Sequence, residues 1–190
     1  TTRKPNVEDG LKQADEGGLG PFELEVEGLE ENTRYYVRAY ARNSMGIAYG
    51  GEFSFKTLAE HEISDFDGNI YTIIDIGEQT WMRTNLRVTH YADGTPIPLV
   101  EDADDWSRLT QESKAYCWYY NEEHYGSAYG ALYTWPAVMN GMEGSKENPG
   151  GIQGVCPDGW HVPSDQEWQE MEIYLGMDPA MADTMLFRSR

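Results

Sequence analysis

Apolar residues in this chain recur mostly at a period of two, in runs too short for a long helix, and a convincing helical run begins only at Ser164. Alternation of that kind describes strands with one face buried and one wet. Phe22, Leu24 and Val26 alternate with Glu23, Glu25 and Glu27, and Gly28 ends the run. Tyr35, Val37, Ala39 and Ala41 then share one face, with Tyr36, Arg38, Tyr40 and Arg42 on the other. After a turn at residues 43–46, Ala48 to Lys56 reads as a third strand carrying Phe53 and Phe55 on one face. Residues 1–20, rich in Gly, Pro and charge, read as loop.

Beyond a linker at residues 58–64 the pattern changes. Asp67-Gly68 is a hairpin signal, followed by a strand over 70–76, punctuation at Gly77 and a partner strand over 79–82. The Asp65-x-Asp67-Gly68-Asn69 spacing invites calcium, which favours oxygen ligands on a tight loop. Ile76 stands at the twelfth loop position where a carboxylate is needed, so turn chemistry is the better account. Glu101, Asp102, Asp104 and Asp105 read as a solvated loop or a first helical turn, where negative charge meets the helix dipole. Residues 115–120 read as an aromatic strand, and Tyr125 to Tyr133 as a second strand whose Gly126 and Gly130 permit close backbone approach. Thr134 to Asn140 reads as a short helix with Pro136 in its first turn and Gly141 as its stop. Ser164-Asp165-Gln166-Glu167 is a capping box. Trp168, Met171 and Leu175 are expected on its apolar face, with Glu170 and Glu172 pointing away.

Thirty-three acidic residues against 14 basic leave a formal net charge of −19. A phosphate backbone is repelled by that field, so no nucleic-acid partner is expected. No apolar run approaches bilayer-spanning length, and membrane attachment is expected only through an anchor outside this chain. No Ser/His/Asp grouping, phosphate-cradling loop or His-x-x-x-His pair is present, and no catalytic residue is assigned. Cys117, His124, Cys156 and His161 are suitable zinc ligand types, but their spacing matches no standard site. A Cys117–Cys156 disulfide is compatible with an oxidising compartment, and its loop of about 40 residues would contribute ~3–4 kcal/mol in the chain-entropy model. Free thiols are the alternative. Trp118, Tyr120, Tyr125, Tyr129 and Trp135 form the candidate ligand platform, since flat ring faces suit sugar C–H surfaces. At least half of the aromatic side chains of this stretch are expected in the core, because Leu and Ile are sparse.

Leu29-x-x-x-Thr33-x-Tyr35-x-Val37-x-Ala39-x-Ala41-x-Asn43 resembles the E–F corner and F strand of a fibronectin type III domain, and Glu31 stands where that family usually has Pro. The resemblance implies a tyrosine corner at Tyr35. Such a sandwich needs about 100 residues and seven strands. Residues 1–57 are therefore expected to be its C-terminal part, completed by further residues of a longer protein or by another chain. DGNIYTIIDIGEQTWMRTNL, DGTPIP, AYCWYYN, YGALYTW and CPDGWHVPSDQEW, in that order, resemble the Fibrobacter succinogenes major paralogous domain, which is assigned here to residues 65–190 and expected to be incomplete at its C-terminus.

That resemblance implies a multidomain chain: a partial all-β sandwich, then an α+β mixed domain of C-type lectin-like character. The lectin-like analogy would pair Cys156 with a later cysteine. It further implies a non-enzymatic binding or adhesion module, extracellular or on the cell surface of a Bacteroidetes-type bacterium and anchored to the outer membrane as a lipoprotein. Its partner would be a surface glycan or a protein, with no cofactor assigned and calcium not shown by the residues. One alternative is a structural or accessory subunit of an outer-membrane complex. Another, by analogy with formylglycine-generating enzymes, is a copper-thiol oxidase, which would need two close cysteines in a later segment.

Overall fold

The computed structural model describes residues 4–9 and 23–183. The chain divides into two compact units, Thr1–His61 and Glu62–Arg190.

The first unit contains one long antiparallel hairpin, β1 (Arg34–Asn43) with β2 (Gly46–Lys56). Tyr35 lies opposite Phe55 and Val37 opposite Phe53, so the apolar alternation becomes one hairpin face. A bulge between Arg38 and Tyr40 shifts the register, and the turn closes with the Asn43 carboxamide oxygen accepting from the Met45 and Gly46 amides. The strand expected over 22–27 is not formed at residues 23–27, which carry no regular structure, and Phe22 lies outside the described residues. Of the loop expected over 1–20, only residues 4–9 are described. The Tyr35 hydroxyl accepts from the Glu30 amide at 2.8 Å, a bond to upstream backbone. Thr57 closes the base of the hairpin, accepting from the Thr33 amide at 2.9 Å.

The second unit is mixed. β3 (Glu62–Ser64), β4 (Ile70–Ile76) and β5 (Gln79–Met82) form an antiparallel sheet in sequence order. Residues 62–64, expected as linker, are thus an edge strand, because Ile63 pairs with Tyr71. The Asp65–Asn69 turn is held by its own side chains. Asp65 accepts from the Asn69 amide at 2.8 Å and from the Tyr71 hydroxyl at 2.5 Å. Asp67 spans outward to accept from the Thr89 and His90 amides, and its second oxygen meets His90 Nδ1 at 2.6 Å. Burial raises the Asp67 carboxyl, but the bonds from Thr89 and His90 outweigh it and leave the group below its ordinary value.

Asp102 caps α1 (Ala103–Ser107), accepting from the Asp104 and Asp105 amides, so the acidic run is a helix start. β6 (Tyr116–Trp118) pairs with β7 (Ala131–Tyr133). Between them the expected strand over 125–133 is replaced for most of its length by a 3-10 turn and the short helix α2 (Gly126–Tyr129). The two glycines explain the change. A Cβ on Gly126 would meet the Trp118 ring at 2.7 Å, and Gly130 sits at φ +74° against the backbone of Leu86. Close approach is therefore needed at both, as expected, but it is helical backbone that passes the Trp118 ring.

Thr134 caps α3 (Trp135–Val138), with Pro136 in the first turn and Gly141 at φ +78° beyond its end. Ser164 caps α4 (Asp165–Tyr174) with both capping-box bonds formed, and α5 (Pro179–Ala182) follows under an Asp178 cap. The core of this unit is aromatic. Tyr71, Val88, Tyr91, Ile97, Tyr116, Trp118, Ala137 and Val155 form one buried cluster. Two phenols here reach backbone: the Tyr91 hydroxyl donates to Ala137 O at 3.0 Å, and that of Tyr133, packed against the cluster, to Val88 O at 2.7 Å. An aromatic removes on the order of 150–250 Å² from water, so a unit poor in Leu still builds a core.

A candidate ligand groove lined by tryptophan

Strand β5 with the segment after it, the β7 edge, the loop before α4 and α4 itself enclose an open groove of about 970 Å³. Trp81, Trp160 and Trp168 line it, together with Tyr129, Leu132 and Pro149. Trp81 projects from β5, Trp168 from the first turn of α4, and their ring centroids lie 4.9 Å apart at 52°. The Trp81 indole N–H donates to Gln79 Oε1 at 3.1 Å, which fixes the ring. Gln79 Nε2 in turn donates to Glu167 O at 3.2 Å and to Glu170 Oε2 at 3.1 Å, tying β5 to α4. Asn148 Nδ2 donates to the other Glu170 oxygen at 2.6 Å.

Behind this edge stands Glu167, the buried third residue of α4. One of its oxygens accepts from the Ser164 amide at 2.8 Å and the Gly150 amide at 3.0 Å. The other meets His161 Nε2 at 2.6 Å. Burial works against the charged form, but the bonds from Ser164, then His161, then Gly150 outweigh it and hold the carboxyl below its ordinary value. The α4 face therefore departs from the expected stripe. Leu175 is 66% exposed, whereas Glu167 is buried and Glu170 is held at the groove by Gln79 and Asn148. A capping carboxylate and loop amides, together with the Trp168 contact to Trp81, hold this short helix.

The five candidate platform residues separate. Trp118 is buried with 7% exposure under Gly126 and edge-on to Tyr116, so it belongs to the core and offers no ring face to a ligand. Trp135 is 64% exposed but makes no ring contact with the other four among the described residues; it borders a smaller hollow with Met139 and Ile152. Tyr120, Tyr125 and Tyr129 do come together, joined by Tyr119. Tyr119 lies 4.3 Å from Tyr120 and 5.0 Å from Tyr129 between ring centroids, and edge-on to Tyr125 at 5.6 Å. The His124 ring lies 4.0 Å from that of Tyr125, tilted by 37°. Tyr120 and Asn121 both take φ +56°, a backbone that bulky residues adopt rarely and that here turns the chain immediately after β6. Tyr129 belongs both to this cluster and to the groove lining. Asn85 Nδ2 donates to Tyr129 O at 3.0 Å, joining the two at the rim.

The sequence placed Trp168 on an apolar helix face but did not join Trp81, Trp160 and Trp168 into one site, because no local run unites them: Trp81 lies nearly 90 residues from Trp168. The available signal was their position inside ordered motifs, Gln79-Thr-Trp81 and Gly159-Trp160-His161. Both cysteines are free thiols, so the Cys117–Cys156 bridge is not formed. Cys117 sits on β6 opposite Leu132, and Cys156 is buried at the floor of the groove. Burial pushes the Cys156 thiol up to about 12. Among the described residues no cluster of three or more His, Cys, Asp or Glu is arranged to hold a metal, and no helix is long and apolar enough to cross a membrane.

No curated protein and no solved structure matches the chain. The groove nevertheless lies within one family's match: residues 74–190, more than half of the chain and all of the groove lining, match the model of the Fibrobacter succinogenes major domain, and the chain belongs to that family.

Proposed function

We propose that the chain is a non-enzymatic binding module of a cell-surface or secreted protein, and that its second unit captures glycan in the tryptophan groove. The observation that carries this is the Trp81–Trp168 pair on the groove wall, continued by exposed Tyr129 into the tyrosine cluster. Flat apolar faces beside amide and carboxylate edges are the surface a sugar ring fits, C–H face on the ring and hydroxyls on the edges. The non-enzymatic reading is supported by the groove's reactive groups. Burial alone acts on Cys156 and raises it, so no neighbour favours a thiolate, and His161 faces a carboxylate that already serves as a helix cap.

The type III reading of the first unit is supported by the Tyr35–Glu30 bond. The lectin-like reading of the second rests on the resemblance of its motifs. An extracellular, outer-membrane-anchored setting follows from the same resemblance. A second reading, as accessory subunit of a surface complex, is favoured by the hairpin of the first unit, where Val37, Phe53 and Phe55 expose one apolar face.

A glycan array probed with the chain, with and without calcium chelator, tests the proposal. Binding that survives chelator and disappears in Trp81→Ala is expected. Binding that needs calcium, or that is unaffected by Trp81→Ala, would refute the groove as the site.

A further inference from the structure

The groove carries its own charge signature. Its described lining contains the carboxylates of Glu78, Glu167 and Glu170 and no lysine or arginine. Glu167 is held in its ionised form by two backbone amides and His161. Glu170 keeps both oxygens at the rim, accepting from Gln79 and Asn148, and each oxygen retains a further lone pair for an incoming hydroxyl. The described lining thus offers no lysine or arginine to pair with a ligand carboxylate or sulfate, its one histidine, His161, is already engaged by Glu167, and the chain's net charge of −19 repels such groups at longer range. The lining otherwise offers ring faces and neutral polar groups, among them the Thr80 and Thr84 hydroxyls and the Asn85 and Asn148 carboxamides. The space, about 970 Å³, lies at the upper end of small-ligand sites, and it opens onto the tyrosine cluster through Tyr129. A chain of several sugar rings fills such a space, whereas a single ring does not.

We infer that the groove selects uncharged polyhydroxy chains, that is, neutral oligosaccharides and polysaccharides, and discriminates against uronic-acid and sulfated chains. The inference rests on the glycan-binding reading above and deepens it. Ring stacking supplies attraction that is indifferent to charge, and the carboxylates supply the discrimination, since repulsion acts only on anionic ligands. The hydroxyls of a neutral chain can donate to Glu170, while a carboxylate in the same place has no proton to offer.

The test is titration of the chain with neutral gluco- and manno-oligosaccharides of increasing length, set against oligogalacturonides of equal length and heparin fragments. Neutral ligands should bind more tightly as they lengthen. Acidic ones should bind at least about tenfold more weakly at low ionic strength, a gap that narrows in high salt. The Glu78→Gln/Glu170→Gln double variant should narrow the same ratio. Trp168→Ala, at a ring already 43% exposed and so tolerant of truncation, should abolish binding. Acidic chains binding as tightly as neutral ones, with Trp168→Ala still abolishing both, would overturn the selectivity and leave the binding reading standing. No binding by either class would overturn the binding reading and the selectivity with it.

Discussion

Replacing Glu167 with Ala should destabilise the second unit more than its sequence position suggests. As the third residue of a capping box, Glu167 would ordinarily contribute little beyond the ~1 kcal/mol of the cap itself. In the structure its carboxylate also accepts from Gly150, which is buried, and from His161. Truncation orphans the Gly150 and Ser164 amides, each costing about 1–3 kcal/mol when water cannot replace the acceptor. The expected loss is therefore about 2–6 kcal/mol, against about 1 kcal/mol for Ser164→Ala. Urea unfolding followed by tryptophan fluorescence reads this unit alone, because all six tryptophans lie beyond residue 62. The pH dependence has a definite sign. The folded carboxyl lies below its ordinary value of 4.5, so its contribution is fully present above that value and is lost as pH falls through the lower, folded one. Glu167→Gln should flatten this acid limb. If Glu167→Ala costs no more than Ser164→Ala, or if the acid limb is unchanged in Glu167→Gln, the carboxylate does not lock the loop to α4 and the argument fails.

Three further outcomes follow from the packing. Gly126→Ala places a Cβ 2.7 Å from the Trp118 ring and should cost about 1–3 kcal/mol in the same unfolding assay; an unchanged midpoint would show that the ring yields freely. Tyr71→Phe removes a hydroxyl that donates to Asp65 and accepts from the Arg87 amide. The loss should be about 1–2 kcal/mol, because one buried bonding partner disappears for each, and a neutral effect would mean that water takes the hydroxyl's place. With a thiol reagent at neutral pH, half-buried Cys117 should be modified before buried Cys156, which should wait for unfolding; simultaneous labelling of both in the native protein would contradict the burial described.

What the sequence determined by itself was mostly local. The alternation at Tyr35–Ala41 and Phe53–Phe55 became one hairpin face because side chains two apart share a side of a strand. Ser164 and Glu167 formed both bonds of their box, and Thr134, Pro136 and Gly141 bounded α3, because caps need only neighbours a few residues away. The two glycines of 126–130 were legible as points of close approach, but not as helix, since what approaches Gly126 is the ring of Trp118.

Tertiary structure alone decided which aromatics are core and which face a ligand. Trp118 and Tyr120 are two residues apart, yet one lies 7% exposed in the core and the other 73% exposed beyond a left-handed turn. Trp81 and Trp168 meet because Gln79 ties β5 to α4 across 91 residues of chain. Local periodicity carries no information about such pairs: their contact depends on how the sheet, the Asn148–Gly150 loop and the capped helix converge. That convergence is set by long-range hydrogen bonds to Glu167 and Glu170, two carboxylates that a helical wheel would have left in water.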